Sequence, residues 1–130
     1  MDIVIVIIIA LAGALAPDSA KEFTIDMRGE NMVFEKQAEN IWLAKMASPD
    51  GKVEKAINLK FTIDGLNIGL GQNEAFRMHD VSKFLGVDSI EELKTLSKFK
   101  LGNTTAQIQR QKKGFVLKLG KRPEFKISWK

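Results

Sequence analysis

Lysine carries most of the chemistry this chain can offer, and its lysines crowd one end of the sequence. Lys112, Lys113, Lys118, Lys121, Arg122, Lys126 and Lys130 stand within the last nineteen residues, interleaved with Phe115, Phe125 and Trp129. Residues 94–130 hold eleven Lys or Arg against one acid, Glu124, for a net charge of +10. Residues 1–93 hold nine bases against fifteen acids, for a net charge of −6. Such asymmetry within one chain points to an anionic partner for the basic part: nucleic acid, anionic lipid or an acidic protein surface. The seven cations named above are the expected anion-binding residues. The plainer roles for the same side chains are a solvated face that blocks edge-to-edge pairing or cover by the acidic part of the same chain.

Aromatic residues beside a basic groove suggest base stacking, as in single-strand nucleic-acid binders. Trp42, Phe115 and Trp129 are the stacking candidates. Phe115 and Trp129 fall at alternating positions of their strands, where a place in the core is the plainer expectation. Trp42 is expected on the face of Asn58 and Lys60, away from Leu43 and Ile57.

Catalysis finds little support. There is no Cys, no Tyr and a single His, so neither a thiolate nor a pair of histidines is available. His79 stands beside Asp80, a pairing suited to a general base, but adjacent residues of a helix point apart and no nucleophile motif is near. Asp80 also suits a helix cap. Asp64, Glu74, Asp80, Asp88, Glu91 and Glu92 lack the alternation of a calcium loop. Gly65, Gly69 and Gly71 sit in a hairpin and not in a strand-to-helix turn, which gives no phosphate loop. No metal, cofactor or enzymatic activity is expected.

The elements that must position these residues begin with fourteen uncharged residues, Ile3 to Ala16, closed by Pro17. The run is short for a membrane span, which takes about 20 residues. It has the length of a signal peptide and a small-residue site at Ala12-Gly13-Ala14, but Asp2 stands where a basic n-region belongs. Its seven β-branched residues, Ile3 to Ile9, suit a buried strand; a membrane-associated or assembly-buried helix is the remaining reading.

Beyond Pro17 the chain alternates. Glu22 to Arg28 reads as a half-buried strand and Lys52 to Asp64 as a longer one. Met32 to Ala47 has helix-forming composition but leads into Ser48-Pro49-Asp50-Gly51, which is hairpin chemistry. Asp64-Gly65 predicts a hairpin pairing Ile63 with Leu66, Phe61 with Ile68 and Leu59 with Leu70. Helices are expected over Glu74–Leu85, ended by Gly86, and from the capping box at Ser89 to about Phe99. Strands Thr104–Arg110, Gly114–Gly120 and Glu124–Lys130 close the chain, with Leu119 opposite Phe125 and Lys118 opposite Lys126. Like charges so placed cost stability, which a bound anion would offset.

The fold class expected is α+β: an antiparallel β-meander with one helical pair inserted, preceded by an apolar N-terminal segment. Residues 1–17 form that segment, and 18–130 a single domain ending in a basic meander over 104–130. The function expected is a non-enzymatic structural or binding module. Its N-terminus tethers it to a membrane or an assembly, as in a virion component or a homo-oligomer, and its basic C-terminal face contacts an anionic partner. Two alternatives stand beside it. One is a soluble single-strand nucleic-acid-binding protein, whose order of strands and helix resembles an OB-type barrel. The other is an exported soluble protein with a cleaved N-terminus.

Overall fold

Alternating apolar and polar residues become strands wherever one face can be buried, and among the described residues they form ten. The computed structural model describes residues 3–27, 30–47, 53–71, 77–121 and 124–130. Helix α1 (Ile3–Ala14) precedes β1 (Glu22–Met27), β2 (Glu30–Ala38), β3 (Ile41–Ala47), β4 (Val53–Asp64), β5 (Asn67–Gly71) and β6 (Arg77–Asp80). Two short helices, α2 (Ser82–Leu85) and α3 (Ile90–Thr95), lead to β7 (Lys98–Leu101), β8 (Thr104–Gln111), β9 (Gly114–Leu119) and β10 (Phe125–Trp129). The strands make one antiparallel sheet in the order β6-β5-β4-β3-β2-β1-β10-β9-β8-β7. Two meanders, β1–β6 and β7–β10, are therefore joined side by side through β1 and β10. The protein is α+β, an antiparallel meander with a helical pair inserted and an apolar segment in front. The order is not that of a five-stranded OB barrel.

Helix α1 lies inside this sheet. Ile7, Ile8, Ile9, Ala10, Leu11 and Ala12 are each at most 2% exposed. Six consecutive residues of an α-helix face every direction, so α1 is enclosed on all sides. Val4 borders a small cavity with Leu101, Thr104 and Leu119. At the other end Gly13 lies against Ile63, and the Trp129 indole Nε1 donates to the Ala12 carbonyl at 2.9 Å. These partners belong to β4, β7, β8, β9 and β10, which are far apart in strand order, so the sheet curls around the helix. Of the readings of Ile3–Ala16, the core strand is excluded, because Ile3–Ala14 is helical. An enclosed segment with no strand beside it must satisfy its backbone internally, and only a helix does that. Among the described residues no helix is long and apolar enough to cross a membrane.

The inner face has an aromatic cluster on β1–β4 and a mainly aliphatic one on β8–β10. Phe23 stacks on Phe34 at 4.6 Å between centroids, and Phe34 meets Phe61 edge-on at 5.4 Å. Ile108, Phe115, Leu117, Leu119 and Ile127 line the opposite wall. Met32 to Ala47, ambiguous by composition, is the hairpin of β2 and β3, turned by Asn40 in a left-handed conformation (φ 65°).

Three registers differ from expectation. In the β4–β5 hairpin Asp64 pairs with Asn67, Ile63 with Ile68 and Phe61 with Leu70. The loop is therefore Gly65-Leu66, with Gly65 at φ 59° in the first central position, as a type II′ loop requires. In the β9–β10 pair Leu117 faces Phe125, Phe115 faces Ile127 and Val116 faces Lys126. Lys118 and Lys126 are consequently not opposite one another. Both slips are by two residues, which preserves the buried face. In β3 the register shifts between Ala44 and Lys45 and again between Met46 and Ala47, and Trp42 pairs with Phe61. Trp42 thus joins the inner face, not the face of Lys60.

The helical region is shorter than expected. Among the described residues of the helix expected over Glu74–Leu85, residues 77–80 are strand β6 and Ser82–Leu85 is helical, closed by Gly86 in the left-handed region (φ 68°); residues 74–76 lie outside the described residues. The Ser89 hydroxyl caps α3 by accepting from the Glu92 amide. The helix stops at Thr95, and Phe99 belongs to β7. The expected turns at Ser48–Gly51 and Lys121–Pro123 and the loop at Gly71–Asn73 lie wholly or partly outside the described residues.

Candidate anion-binding site

The strand directions sort the lysines by the two ends of the sheet. At the end where α1 finishes, Lys112 and Lys113 form the two-residue turn between β8 and β9, since Gln111 pairs with Gly114. The Trp129 amide donates to the Lys113 carbonyl at 2.9 Å. Lys130 follows directly, and its carbonyl accepts from the Lys21 amide at 2.7 Å. The Lys21 carbonyl in turn accepts from the Lys36 amide at 2.8 Å. Backbone pairing therefore chains Lys113, Lys130, Lys21 and Lys36 along one rim of the curled sheet. Lys36 lies over the Trp42 ring, with Nζ 5.9 Å from its centroid, a cation–π contact.

Between this rim and the chain leaving α1 opens a cavity of about 820 Å³. It is open to solvent and lined by Lys112, Lys113 and Lys130 with Ser19 and Ser128, and by the apolar Leu15, Pro17, Ala20 and Trp129. Cationic and apolar groups lining one groove fit an amphiphile with an anionic head. Lys112, Lys113 and Lys130 are exposed.

Lys118 and Lys121 lie near the opposite end. There they border a second cavity, of about 560 Å³, with Thr104, Thr105, Gln107 and Asn103. Gly114 and Leu119 at the two ends of β9 are separated by about 17 Å, at about 3.4 Å per residue. Lys118 also pairs with Glu124 at 3.4 Å. Lys126 faces Asp26 on β1. Arg122 is outside the described residues. The structure thus brings together three of the seven expected cations, separates three others and leaves the last undescribed.

The stacking candidates are turned inward. Trp42 is 4% exposed and Phe115 is fully buried. Trp129 is half-buried and lies 5.7 Å from Phe115. Neither Trp42 nor Phe115 offers a ring face to a nucleobase.

Sequence reasoning missed Lys21 and Lys36 at the rim, because they lie in the acidic part of the chain. It also missed the cross-strand row Lys98–Gln107–Lys118, because the helix expected from Ser89 runs to about Phe99 and no strand is expected before Thr104. The alternation Lys98-Phe99-Lys100-Leu101 is the signal that would have found it.

His79 is exposed on β6, opposite Ile68. The Asp80 carboxylate accepts from the Ser82 amide at 2.9 Å. That backbone hydrogen bond first, and then the Ser82 hydroxyl and Lys83, hold the Asp80 carboxyl below its ordinary range. Asp80 is therefore engaged at the start of α2. Among the described residues no group of three or more His, Asp or Glu is placed to hold a metal ion. The chain matches no protein-family model, no curated protein and no solved structure, so a functional reading rests on the geometry just described.

Proposed function

We propose that this protein is a non-enzymatic binding module for an anionic amphiphile, a lipid carrying a carboxylate or phosphate. The observation that carries this reading is the open groove lined both by Lys112, Lys113 and Lys130 and by Leu15, Pro17, Ala20 and Trp129. The ammonium groups take the headgroup, and the apolar lining takes the first part of the chain. Attachment to a lipid surface then comes from the lysine rim and needs no spanning helix.

The test is co-sedimentation with vesicles of phosphatidylcholine and phosphatidylserine in equal parts, against phosphatidylcholine alone. Each lysine close to an anionic surface is worth about 1 kcal/mol. The triple variant Lys112→Ala, Lys113→Ala, Lys130→Ala should lose about 100-fold in affinity for the anionic vesicles, from those three contributions. Lys118→Ala with Lys121→Ala should change it little, and added salt should weaken the wild type. Equal binding to neutral vesicles, or tighter binding to a single-stranded oligonucleotide than to anionic vesicles, would reject the reading.

A further inference from the structure

Strand β8 turns a row of neutral hydrogen-bonding side chains outward. Ala106 and Ile108 are buried, so Thr105, Gln107, Gln109 and Gln111 share the opposite, exposed face. At about 3.4 Å per residue this row spans about 20 Å. Its neighbours are cationic. On β7, Phe99 is buried while Lys98 and Lys100 are exposed, with Lys98 opposite Gln107 and Lys100 opposite Thr105. On β9, Lys118 stands opposite Gln107 from the other side. Two strand spacings, about 10 Å, therefore separate Lys98 from Lys118, with an amide side chain between them.

One end of this face is concave. The cavity of about 560 Å³ there is lined by the hydroxyl, amide and ammonium side chains of Asn103, Thr104, Thr105, Gln107, Lys118 and Lys121. Gly120 completes the lining. It has φ 55°, and a Cβ there would stand 3.1 Å from the Thr104 side chain, so glycine lets the end of β9 close against β8. No aliphatic or aromatic side chain lines the cavity. An acyl chain finds no apolar surface in it, and a nucleobase finds no ring to stack on. Amides and hydroxyls both donate and accept, as sugar hydroxyls do, whereas ammonium groups only donate and suit anions. Lys118 pairs with Glu124 at 3.4 Å, and both side chains are more than one-third exposed. Such a pair contributes little, so a ligand anion can take the place of the Glu124 carboxylate.

We propose that the outer face of β7–β9 is a binding site for a linear acidic polysaccharide. Thr105, Gln107 and Gln109 take hydroxyls along the sugar chain, and Lys98, Lys100, Lys118 and Lys121 take its sulfate or carboxylate groups. The length of the β8 row suits a run of several sugars and exceeds what a single one would use. Neutral and cationic side chains alternate across the strands, as hydroxyls and anions do in such a polymer. The site shares no residue with the groove of Lys112, Lys113 and Lys130, and it stands or falls without the amphiphile reading.

The experiment is calorimetric titration of the full-length chain with heparin oligosaccharides, a probe that carries both sulfates and carboxylates. The wild type should bind, and no binding overturns the proposal. Lys98→Ala with Lys118→Ala should lower the affinity about tenfold, since hydrogen bonds to charged groups are the strong ones. Any basic surface would give that result, so the deciding variant is neutral. Gln107→Ala with Gln109→Ala should lower the affinity about fivefold through two lost hydrogen bonds, at unchanged net charge. Both glutamines are exposed, so their removal leaves the core intact. Unchanged affinity in that variant overturns the site and leaves only the general attraction of a polyanion. Glu124→Gln should raise the affinity by releasing Lys118; a fall overturns the exchange of carboxylates. The triple variant Lys112→Ala, Lys113→Ala, Lys130→Ala should keep most of the binding, and a loss as large as that of the Lys98 and Lys118 variant overturns the placement on this face. A single-stranded oligothymidylate that binds as tightly as heparin at equal charge overturns the polysaccharide and makes nucleic acid the ligand.

Discussion

Trp129 serves the core, α1 and the candidate site at once. Its ring lies 5.7 Å from Phe115, its indole Nε1 donates to the Ala12 carbonyl, and it lines the groove. The carbonyls of a helix's last turn lack partners within the helix, so this hydrogen bond meets a need that packing cannot. Trp129→Phe keeps the aromatic ring and removes the donor; it should cost about 1 kcal/mol in a denaturant titration. Asp80 permits a second prediction at this scale. Its folded-state pKa lies below the ordinary value, first because of the Ser82 amide. Its stabilising effect is present above the unfolded carboxylate pKa and is lost as the pH falls through the depressed one. A titration of the Asp80 carboxyl followed by NMR should show a midpoint below that of an unperturbed aspartate. The sequence showed that Asp80 suits a cap, because Asp two residues before an amide is a local arrangement. It did not show that Trp42 is buried, because that depends on the one-residue register shift between Met46 and Ala47 against β4.

Helix α3 and the turn between β8 and β9 illustrate how far local signals reach at the level of the element. The capping box at Ser89 was legible, and the Ser89 hydroxyl does accept from the Glu92 amide at 3.2 Å. Ser89→Ala should cost about 1 kcal/mol, read from the midpoint of chemical unfolding. Where α3 stops was not legible. Residues 98–101 have helix-forming lysines and a leucine, yet they pair with β8 because Phe99 finds Ala106 opposite and is buried there. Burial of one face outweighs propensity differences of a few tenths of a kcal/mol per residue. Gly114 shows the reverse, a requirement invisible in sequence. A Cβ there would meet the Ile127 carbonyl and come within 3.0 Å of the Ser128 Cα. Gly114→Ala should destabilise by about 1–3 kcal/mol, as overpacked sites do, and should loosen the join between β9 and β10 seen by amide exchange.

The whole molecule depends on the seam between β1 and β10. There Phe23 faces Trp129, Ile25 faces Ile127 and Asp26 faces Lys126. Strands at the centre of a sheet open last and edge strands first, so amides of β1 and β10 should exchange most slowly and those of β6 most quickly. An equal rate at seam and edge would contradict the strand order.

The sequence by itself determined the α+β class, the inward and outward faces of most strands, the inserted helical pair and the uneven charge. Each follows from spacing along the chain, since a period of two or a capping residue acts on its neighbours alone. Only the tertiary structure decided where α1 goes and which lysines stand together. An apolar helix suits lipid and protein interior alike, and a curled sheet is what distinguishes them here. Lysines far apart in sequence share a rim because antiparallel strands return to the same end, and Lys118 leaves that rim because it lies most of a strand's length away from Gly114 along β9.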